Sequence, residues 1–191
     1  MSQPSGARQI NRAEVVDQAF IDHLSALEEG RVIAARGGPI PDADLLEMFD
    51  SQMVSRQLDL MARVKRLENK VFYTIGSSGH EGNALLGRLT RRSDPALLHY
   101  RSGAFMAERY RKLEAADFVR DTCLSFAAAA SDPTSGGRHK VWGSRPLWVL
   151  PQTSTIASHL PKAVGMALAV ARGASEGQDL PVPADSIGVC S

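Results

Sequence analysis

Apolar residues recur at helical intervals along the amino-terminal part of the chain. Between Asp42 and Asn69 they stand three, four or seven residues apart, so one face of a long helix is apolar while the other is charged. We expect the apolar face to pack against the rest of the protein. It comprises Leu46, Phe49, Met53, Leu60, Val64 and Leu67.

A shorter helix is predicted upstream of the long one. Val15 to Glu29 has a helical pattern that stops at Gly30. Asn11 and Glu14 have the spacing of a capping box at its start. Met1 to Gln9 is polar, and we expect it to form a disordered tail.

Downstream of Asn69 the pattern changes to shorter elements separated by Gly and Pro. The β-branched and aromatic stretch from Val71 to Ile75 fits a strand or an extended lead-in. Pro161 is a favoured first-turn residue and predicts the start of a helix. The other predicted elements are a tight turn from Gly76 to Gly82 leading into a helix that reaches Leu89, helices at about Gly103 to Leu113 and Ala115 to Ala130, a mobile Gly/Ser-rich loop from Asp132 to Lys140, and strands at Leu147 to Leu150 and Asp185 to Ser191.

The Gly- and Pro-rich break from Arg36 to Pro41 divides the chain into two predicted parts. Residues 1–41 hold the tail, the short helix and the linker. Residues 42–191 form a domain that is long enough for a hydrophobic core.

The composition excludes several classes of protein. Over 191 residues the formal net charge is +1, which argues against a nucleic-acid binder that neutralises phosphates. The longest apolar run, Ala163 to Ala171, is far shorter than the roughly 18 residues that suggest a membrane span. Cys123 and Cys190 lie far apart and lack disulfide or zinc spacing. We therefore expect a cytoplasmic protein without a secretory signal.

Two segments are candidates for binding a phosphorylated ligand, and one of them has suitable groups. Arg101 offers a rigid fork of donors for phosphate oxygens, and the neighbouring Tyr100 phenol adds a hydrogen bond. A surface salt bridge is the alternative for this pair. The turn from Gly76 to Gly82 lacks the lysine and threonine of a P-loop, so a close helix-start turn is favoured over a phosphate cradle.

The loop from Gln152 to His159 supplies four hydroxyls and an imidazole just before the helix predicted at Pro161. Such groups can bind a hard monovalent cation, or hold a heterocycle through backbone atoms. They can equally form a helix-capping loop, because Ser158 is within N-cap range. His80 and His99 lack the spacing of a zinc site.

Together these segments resemble the α part of thiamine-diphosphate-dependent 2-oxo-acid dehydrogenases, the decarboxylating components of the pyruvate and branched-chain complexes. The likeness is closest to the branched-chain type and covers about residues 45–191. It implies an α/β fold: the helix-rich amino-terminal portion of a thiamine-diphosphate-binding fold, with an incomplete parallel sheet. It is carried by residues 72–82, Leu98 to Arg101, Gly137 with Arg138, and Gln152 to Ala167.

The resemblance also implies roles for individual residues, none of them catalytic. Arg101 grips the cofactor diphosphate with the help of Tyr100, and His99 borders the 2-oxo-acid pocket. Ser154 and Ile156 hold the aminopyrimidine through backbone atoms. A potassium-binding loop is formed by Thr153, Thr155 and Ser158.

Two residues depart from the family pattern in that loop. Thr155 replaces a proline that is common in the branched-chain type, and His159 replaces an amide. Direct ligation of potassium by His159 is not expected, because a hard alkali ion prefers oxygen.

The activity implied is oxidative decarboxylation of a 2-oxo acid, with transfer of the acyl group to a lipoyl group. The implied partners are the β part of the dehydrogenase, as a separate chain or a downstream region, and the lipoyl acyltransferase component, within an oligomer. In the family a Gly-Asp-Gly-like turn after the last strand binds magnesium. Ser191 stands just before that position, so we expect this chain to be truncated before the magnesium motif and inactive alone.

A different class of function is compatible with the same sequence. The long helix from Asp42 to Asn69 can serve as the docking surface of a non-catalytic helical interaction module.

Overall fold

The structure is a computed structural model that describes residues 12–27 and 38–191. The chain divides into two units, one ending at Ile40 and the other running from Pro41 to Ser191.

The first unit contains helix α1, Arg12–Ser25. It confirms the predicted short helix, which ends earlier than the expected Glu29. The tail from Met1 to Gln9, the capping residue Asn11 and the stop at Gly30 lie outside the described residues, so these three stay predictions.

The second unit is rich in helices and contains a small sheet. Its three strands are parallel in the order β2-β1-β3, which confirms the α/β class predicted from the sequence. The helices are α2 (Asp42–Leu67), α3 (Ala84–Leu89), α4 (Gly103–Tyr110), α5 (Phe118–Phe126) and α6 (Leu160–Ser175), with 3-10 helices at Glu81–Asn83 and Arg145–Leu147; the strands are β1 (Ala96–Leu97), β2 (Val149–Leu150) and β3 (Val189–Cys190).

The long helix α2 is confirmed, but the prediction of its packed face is wrong. Of the six apolar residues expected to pack, Leu60 is half-buried and the other five are exposed. Leu46 is 70% exposed and Leu67 is 85% exposed. The buried face comprises Met48, Ser51, Ser55, Leu58, Asp59 and Ala62.

The buried face of α2 carries small side chains because neighbouring helices approach it closely. A Cβ atom on Gly103, at the start of α4, would clash with the hydroxyl of Ser55. A Cβ atom on Gly87 of α3 would lie 2.7 Å from the carbonyl oxygen of Phe105 in α4. Glycine at position 103 therefore lets α4 lie close to α2, and glycine at position 87 lets α3 lie close to α4.

Several shorter elements differ from the prediction. Of the two alternatives for the segment from Val71 to Ile75, a strand or an extended lead-in, the strand does not form, and the Phe72 N–H donates to the carbonyl of Phe126 at 3.0 Å. Helix α4 ends at Tyr110, and α5 starts later than expected because Asp117 caps it, accepting a hydrogen bond from a backbone N–H at 2.9 Å.

The predicted Gly/Ser-rich loop is ordered around one carboxylate. Asp132 is buried and accepts hydrogen bonds from the backbone N–H groups of Thr134, Ser135 and Gly137 and from the Ser135 hydroxyl, at distances between 2.7 and 3.5 Å. At the end of this loop Lys140 is buried. These contacts replace the apolar packing that the loop sequence lacks.

The fully buried Arg109 ties the amino ends of two strands to α4. Its guanidinium donates to the carbonyls of Asp94 and Leu147, which precede β1 and β2, at 3.1 to 3.2 Å. It also donates to the Thr90 hydroxyl at 2.8 Å and lies 5.0 Å from the centre of the Phe105 ring. Burial lowers the pKa of Arg109 to about 10, and Asp94 opposes this shift.

Helix α6 begins at Leu160, which confirms the predicted start near Pro161. Most of its residues are not buried by the rest of the chain. Only Gly173 is buried, while Leu160, Val164 and Leu168 are more than half exposed. No described helix combines the length and the apolar character needed to cross a membrane.

Candidate functional site

The candidate residues follow the carboxyl ends of the strands. His99 to Arg101 follows β1, Gln152 to His159 follows β2, and Ser191 follows β3. Because the strands are parallel, these ends share one edge of the sheet. From β1 the chain passes to β2 on one side of β1, and from β2 it crosses to β3 on the other side. The boundary between β1 and β3 is therefore a topological switch point, the kind of position at which α/β sheets bind ligands.

Polar contacts join the three strand ends directly. His159 Nε2 lies 3.0 Å from the carbonyl oxygen of Ser191. The Ser191 hydroxyl lies 3.0 Å from that of Ser102 and accepts from the His99 N–H at 3.4 Å. The segment after β1 and the loop after β2, predicted to form one site, therefore lie side by side.

Arg101 is held in place without a carboxylate. Its Nη1 donates to the Gly76 carbonyl at 2.6 Å, and its guanidinium lies 5.3 Å from the centre of the Tyr100 ring. The Tyr100 carbonyl accepts from Trp142 Nε1 at 2.8 Å, which fixes the backbone here. Within the described part of the chain Arg101 makes no ion pair, so its charge is available to an anion.

His99 lies between two other rings. Its ring centre is 4.7 Å from that of His80, with nearly parallel planes, and 4.1 Å from that of Tyr100. Burial lowers the pKa of His99, and the charges of His80, Arg101 and His159 lower it further. The Arg101 N–H donates to His99 Nδ1 at 3.2 Å, so a neutral His99 carries its proton on Nε2.

The predicted potassium ligands form one turn of the loop. The hydroxyls of Thr153 and Ser158 lie 3.5 Å apart, and the Thr155 carbonyl accepts from the Ser158 N–H at 3.3 Å. Ser158 is not the N-cap of α6; that position belongs to His159, which makes no capping hydrogen bond with its side chain. The Ile156 side chain, between these polar residues, is 64% exposed.

Tyr73 connects the two segments, and the sequence pattern did not single it out. Burial raises the pKa of its phenol, and the neighbouring Ser154 side chain opposes that rise, as does the charge of Arg101. Although Ser154 is close, the buried Tyr73 hydroxyl has no hydrogen-bond partner of good geometry. An unsatisfied buried hydroxyl beside Arg101 and Ser154 marks a place where a polar ligand atom fits.

Asp59 of α2 supports the turn beneath Arg101. Its Oδ2 accepts from both the N–H and the hydroxyl of Ser77 at 2.6 Å. A Cβ atom on Gly76 would lie 2.8 Å from the same oxygen, so glycine is required there. Asp59 thereby positions the Gly76 carbonyl that receives Arg101. The helical pattern hid this residue, because it assigned the charged face of α2 to solvent.

Lys140 is a further buried cation that sequence reasoning missed. Its Nζ lies 3.3 Å from the centre of the Trp142 ring, 5.2 Å from that of Tyr73 and 5.5 Å from that of Phe126. Burial lowers the pKa of Lys140 to about 7, while nearby carboxylates, first Asp59, oppose the shift. Tyr73 therefore lies next to Lys140 as well as next to Ser154 of the candidate site.

The described residues contain no group of three or more His, Cys, Asp or Glu side chains that could hold a metal ion. The loop of Thr153, Thr155 and Ser158 offers a different donor set, made of hydroxyl and carbonyl oxygens, which suits an alkali ion. No protein-family model and no curated protein matches this chain.

Proposed function

We propose that this chain is the α part of a thiamine-diphosphate-dependent 2-oxo-acid dehydrogenase. Its role is in the oxidative decarboxylation of a 2-oxo acid and the transfer of the acyl group to a lipoyl group. The observation that carries the proposal is the position of Arg101, which has no ion pair among the described residues and stands at the carboxyl edge of the sheet beside the hydroxyl-rich loop. A diphosphate suits such a site.

In this proposal the residues at the carboxyl edge of the sheet bind and orient the cofactor. Arg101 and Tyr100 hold the diphosphate, and the Gly76 carbonyl fixes the plane of the guanidinium. Ser154 and Ile156 present backbone atoms to the aminopyrimidine. Thiamine diphosphate, when bound, supplies the nucleophilic carbon and the electron sink for decarboxylation.

His99 faces the 2-oxo acid in this proposal. Its lowered pKa keeps the ring neutral at neutral pH, and its Nδ1 is occupied by the Arg101 N–H. The Nε2–H group is therefore the one that donates to a substrate oxygen.

The residues present fit the cofactor, but they do not complete the site. Arg101 offers a positive charge, and the unsatisfied Tyr73 hydroxyl, whose pKa the charge of Arg101 lowers, offers a hydrogen bond. One guanidinium cannot balance a diphosphate without a metal ion. The proposal therefore assigns the magnesium ligands to residues outside the described set, potassium to Thr153, Thr155 and Ser158, and activity to an assembly with a β part and a lipoyl acyltransferase.

Calorimetric titration with thiamine diphosphate and magnesium tests the proposal. The full chain is titrated alone and after co-expression with the β part of a branched-chain 2-oxo-acid dehydrogenase. We expect weak binding by the chain alone and strong binding by the assembly. Arg101→Gln in the assembly should weaken binding by at least about tenfold, because charge-assisted hydrogen bonds are lost. Tyr100→Phe should weaken it by about threefold.

Arg120→Gln is the matched control, since the Arg120 side chain is 68% exposed on α5 and lies 3.7 Å from Asp121. It should leave cofactor affinity unchanged. Equal affinity of the wild-type and Arg101→Gln assemblies contradicts the proposal, provided that both have the same thermal midpoint. Absence of cofactor binding by the wild-type assembly contradicts it as well.

The exposed stripe of α2 favours a second candidate, the non-catalytic helical interaction module. Phe49 is 59% exposed and Leu46 is 70% exposed, although both belong to the apolar pattern of the helix. A module of this kind loses partner binding with Phe49→Glu and keeps it with Arg101→Gln. The dehydrogenase proposal expects Arg101→Gln to impair cofactor binding, which the module would not show.

A further inference from the structure

A cleft of about 440 Å³ lies beside the edge strand β2. This volume is in the range of pockets that bind small molecules, roughly 300–1,000 Å³. None of the residues assigned to the candidate cofactor site lines it. Its apolar walls are formed by Pro133, Pro151, Pro181, Trp148, Val149 and Leu150.

Several of the polar groups in these walls are already used within the protein. The Thr134 hydroxyl donates to the Gly143 carbonyl at 2.9 Å. The backbones of Ser144 and Val149 exchange hydrogen bonds at 2.9 and 3.0 Å. Proline residues contribute no N–H group. Arg145 lines the same cleft, is exposed, and has no ion pair or hydrogen bond from its side chain to any residue that the structure describes.

The backbone at Trp148 holds a large flat ring on the cleft wall at an energetic cost. Trp148 has φ 51° and ψ 34°, the left-handed conformation that costs a bulky residue about 1–3 kcal/mol. Its N–H donates to the Arg145 carbonyl at 3.2 Å, and its own carbonyl accepts from Ala96 at 2.8 Å. The backbone is thus fixed on both sides. Strain of this kind is concentrated at binding and catalytic sites.

We propose that this cleft binds a monocarboxylate with an apolar body the size of an aromatic ring or a branched chain. The apolar body lies against Trp148 and the proline rings, and the carboxylate pairs with Arg145. Among the residues that line the cleft, Arg145 is the one with a charged side chain, so one anionic end on the ligand suits it and a second charge would lack a partner. The inference does not depend on the function proposed for the sheet edge.

Nuclear magnetic resonance titration of the full chain tests this inference with two probes of the same shape. The probes are 3-phenylpropionate and the uncharged 3-phenylpropan-1-ol, and the signals followed are the Trp148 indole N–H and the Gly143 amide. We expect the acid to bind about fivefold more tightly than the alcohol, a modest ratio because Arg145 is exposed to solvent. Arg145→Gln should remove the difference between the probes. Arg120→Gln, at an exposed position on another helix, should keep it.

Each other outcome overturns the inference. Equal affinity of the two probes for the wild-type protein excludes a carboxylate site at Arg145. Absence of saturable shifts at about 10 mM of either probe excludes a binding cleft. Shifts confined to the segment from His99 to Arg101 place the ligand at the sheet edge instead.

Discussion

At the residue scale, Lys140 places an amine in surroundings that ordinarily exclude it. The side chain is 6% exposed, and three aromatic rings surround its Nζ. Burial favours the neutral amine, whereas cation–π contacts favour the ammonium form. With a pKa of about 7, the group changes charge near neutral pH, next to the Tyr73 phenol of the candidate site.

Lys140→Met should change how stability depends on pH. The lysine pKa falls from 10.5 in the unfolded chain to about 7 in the folded protein, so the unfolded state binds more protons between these values. The free energy of unfolding of the wild type therefore rises as the pH rises through this window. The rise is at most of the order of 5 kcal/mol, and the ring contacts make it smaller. Urea unfolding at about pH 7 and 9.5 should show a smaller rise in the variant.

Lys70→Met serves as the control, because the Lys70 side chain is 70% exposed. Its unfolding free energy should follow the wild type at both pH values. Parallel pH profiles of the wild type and Lys140→Met would mean that the rings keep Lys140 charged and that its pKa is not lowered.

At the element scale, the contact of α2 with α4 depends on the absence of side-chain atoms. Gly103 meets Ser55 so closely that a Cβ atom at position 103 would clash with the serine hydroxyl, yet it would lie at an ordinary 3.5 Å from the serine Cβ. The hydroxyl is therefore the main obstacle. It also donates to the Ser77 hydroxyl at 3.1 Å, in the turn that holds Arg101.

Gly103→Ala should lower the free energy of unfolding by about 1–3 kcal/mol, because it overpacks this contact. Ser55→Ala alone should cost about 1 kcal/mol through the lost hydrogen bond. The double variant should be more stable than the sum of the two effects predicts, since removing the hydroxyl makes room for the new methyl group. Denaturant unfolding of the four proteins measures this coupling.

Gly82→Ala is a matched glycine substitution, because a Cβ atom there meets nothing within 4 Å. It should change the unfolding free energy by less than about 0.5 kcal/mol. If the changes in unfolding free energy of Gly103→Ala and Ser55→Ala add strictly, then α2 and α4 move apart to accommodate the new methyl group, and the prediction is wrong.

Several helices were predictable from the sequence, because hydrophobic periodicity and helix-breaking residues are properties of neighbouring positions in the chain. The long helix α2 and the start of α6 near Pro161 were both recognised. The packed face of α2 was not, because Ser51, Ser55 and Ala62 give no hydrophobic signal. The burial of Ser55 depends on Gly103, far along the chain, and a pattern within one helix does not contain that information.

At the scale of the whole molecule, the unit from Pro41 to Ser191 presents apolar surface that it does not cover itself. Helix α6 exposes Leu160, Val164 and Leu168, which are 52–65% exposed. Large exposed apolar surfaces mark contact sites between proteins. That the chain works within an oligomer stays a prediction, and this surface is where we expect the contact.

Leu168→Glu should therefore weaken association of the chain. We expect the wild type to sediment faster as its concentration is raised from about 1 to 100 μM, and the variant to need at least about tenfold more protein for the same shift, because a buried carboxylate is costly. Gln178→Glu makes the same change of charge at an exposed polar residue and should behave as the wild type. A wild-type chain that stays monomeric over this range contradicts the prediction.

The candidate site was predictable in part. Tyr100, Arg101 and the loop after β2 were singled out by their chemistry and by a resemblance, and the parallel sheet brings these segments to one edge. Tyr73 and Asp59 were not singled out. Their importance rests on contacts with residues distant in sequence, such as Ser154 for Tyr73, and those contacts become visible only in the folded chain.

Arg109 has a consequence for how this protein can change. It fastens β1 and β2 at the end opposite the candidate site, and its hydrogen bonds do not involve the candidate residues. Substitution of His99 or Thr153 should therefore leave the hydrogen bonds of Arg109 intact. Laboratory evolution of this chain should accordingly tolerate variation at the carboxyl ends of the strands and reject it at their amino ends, where Arg109 binds.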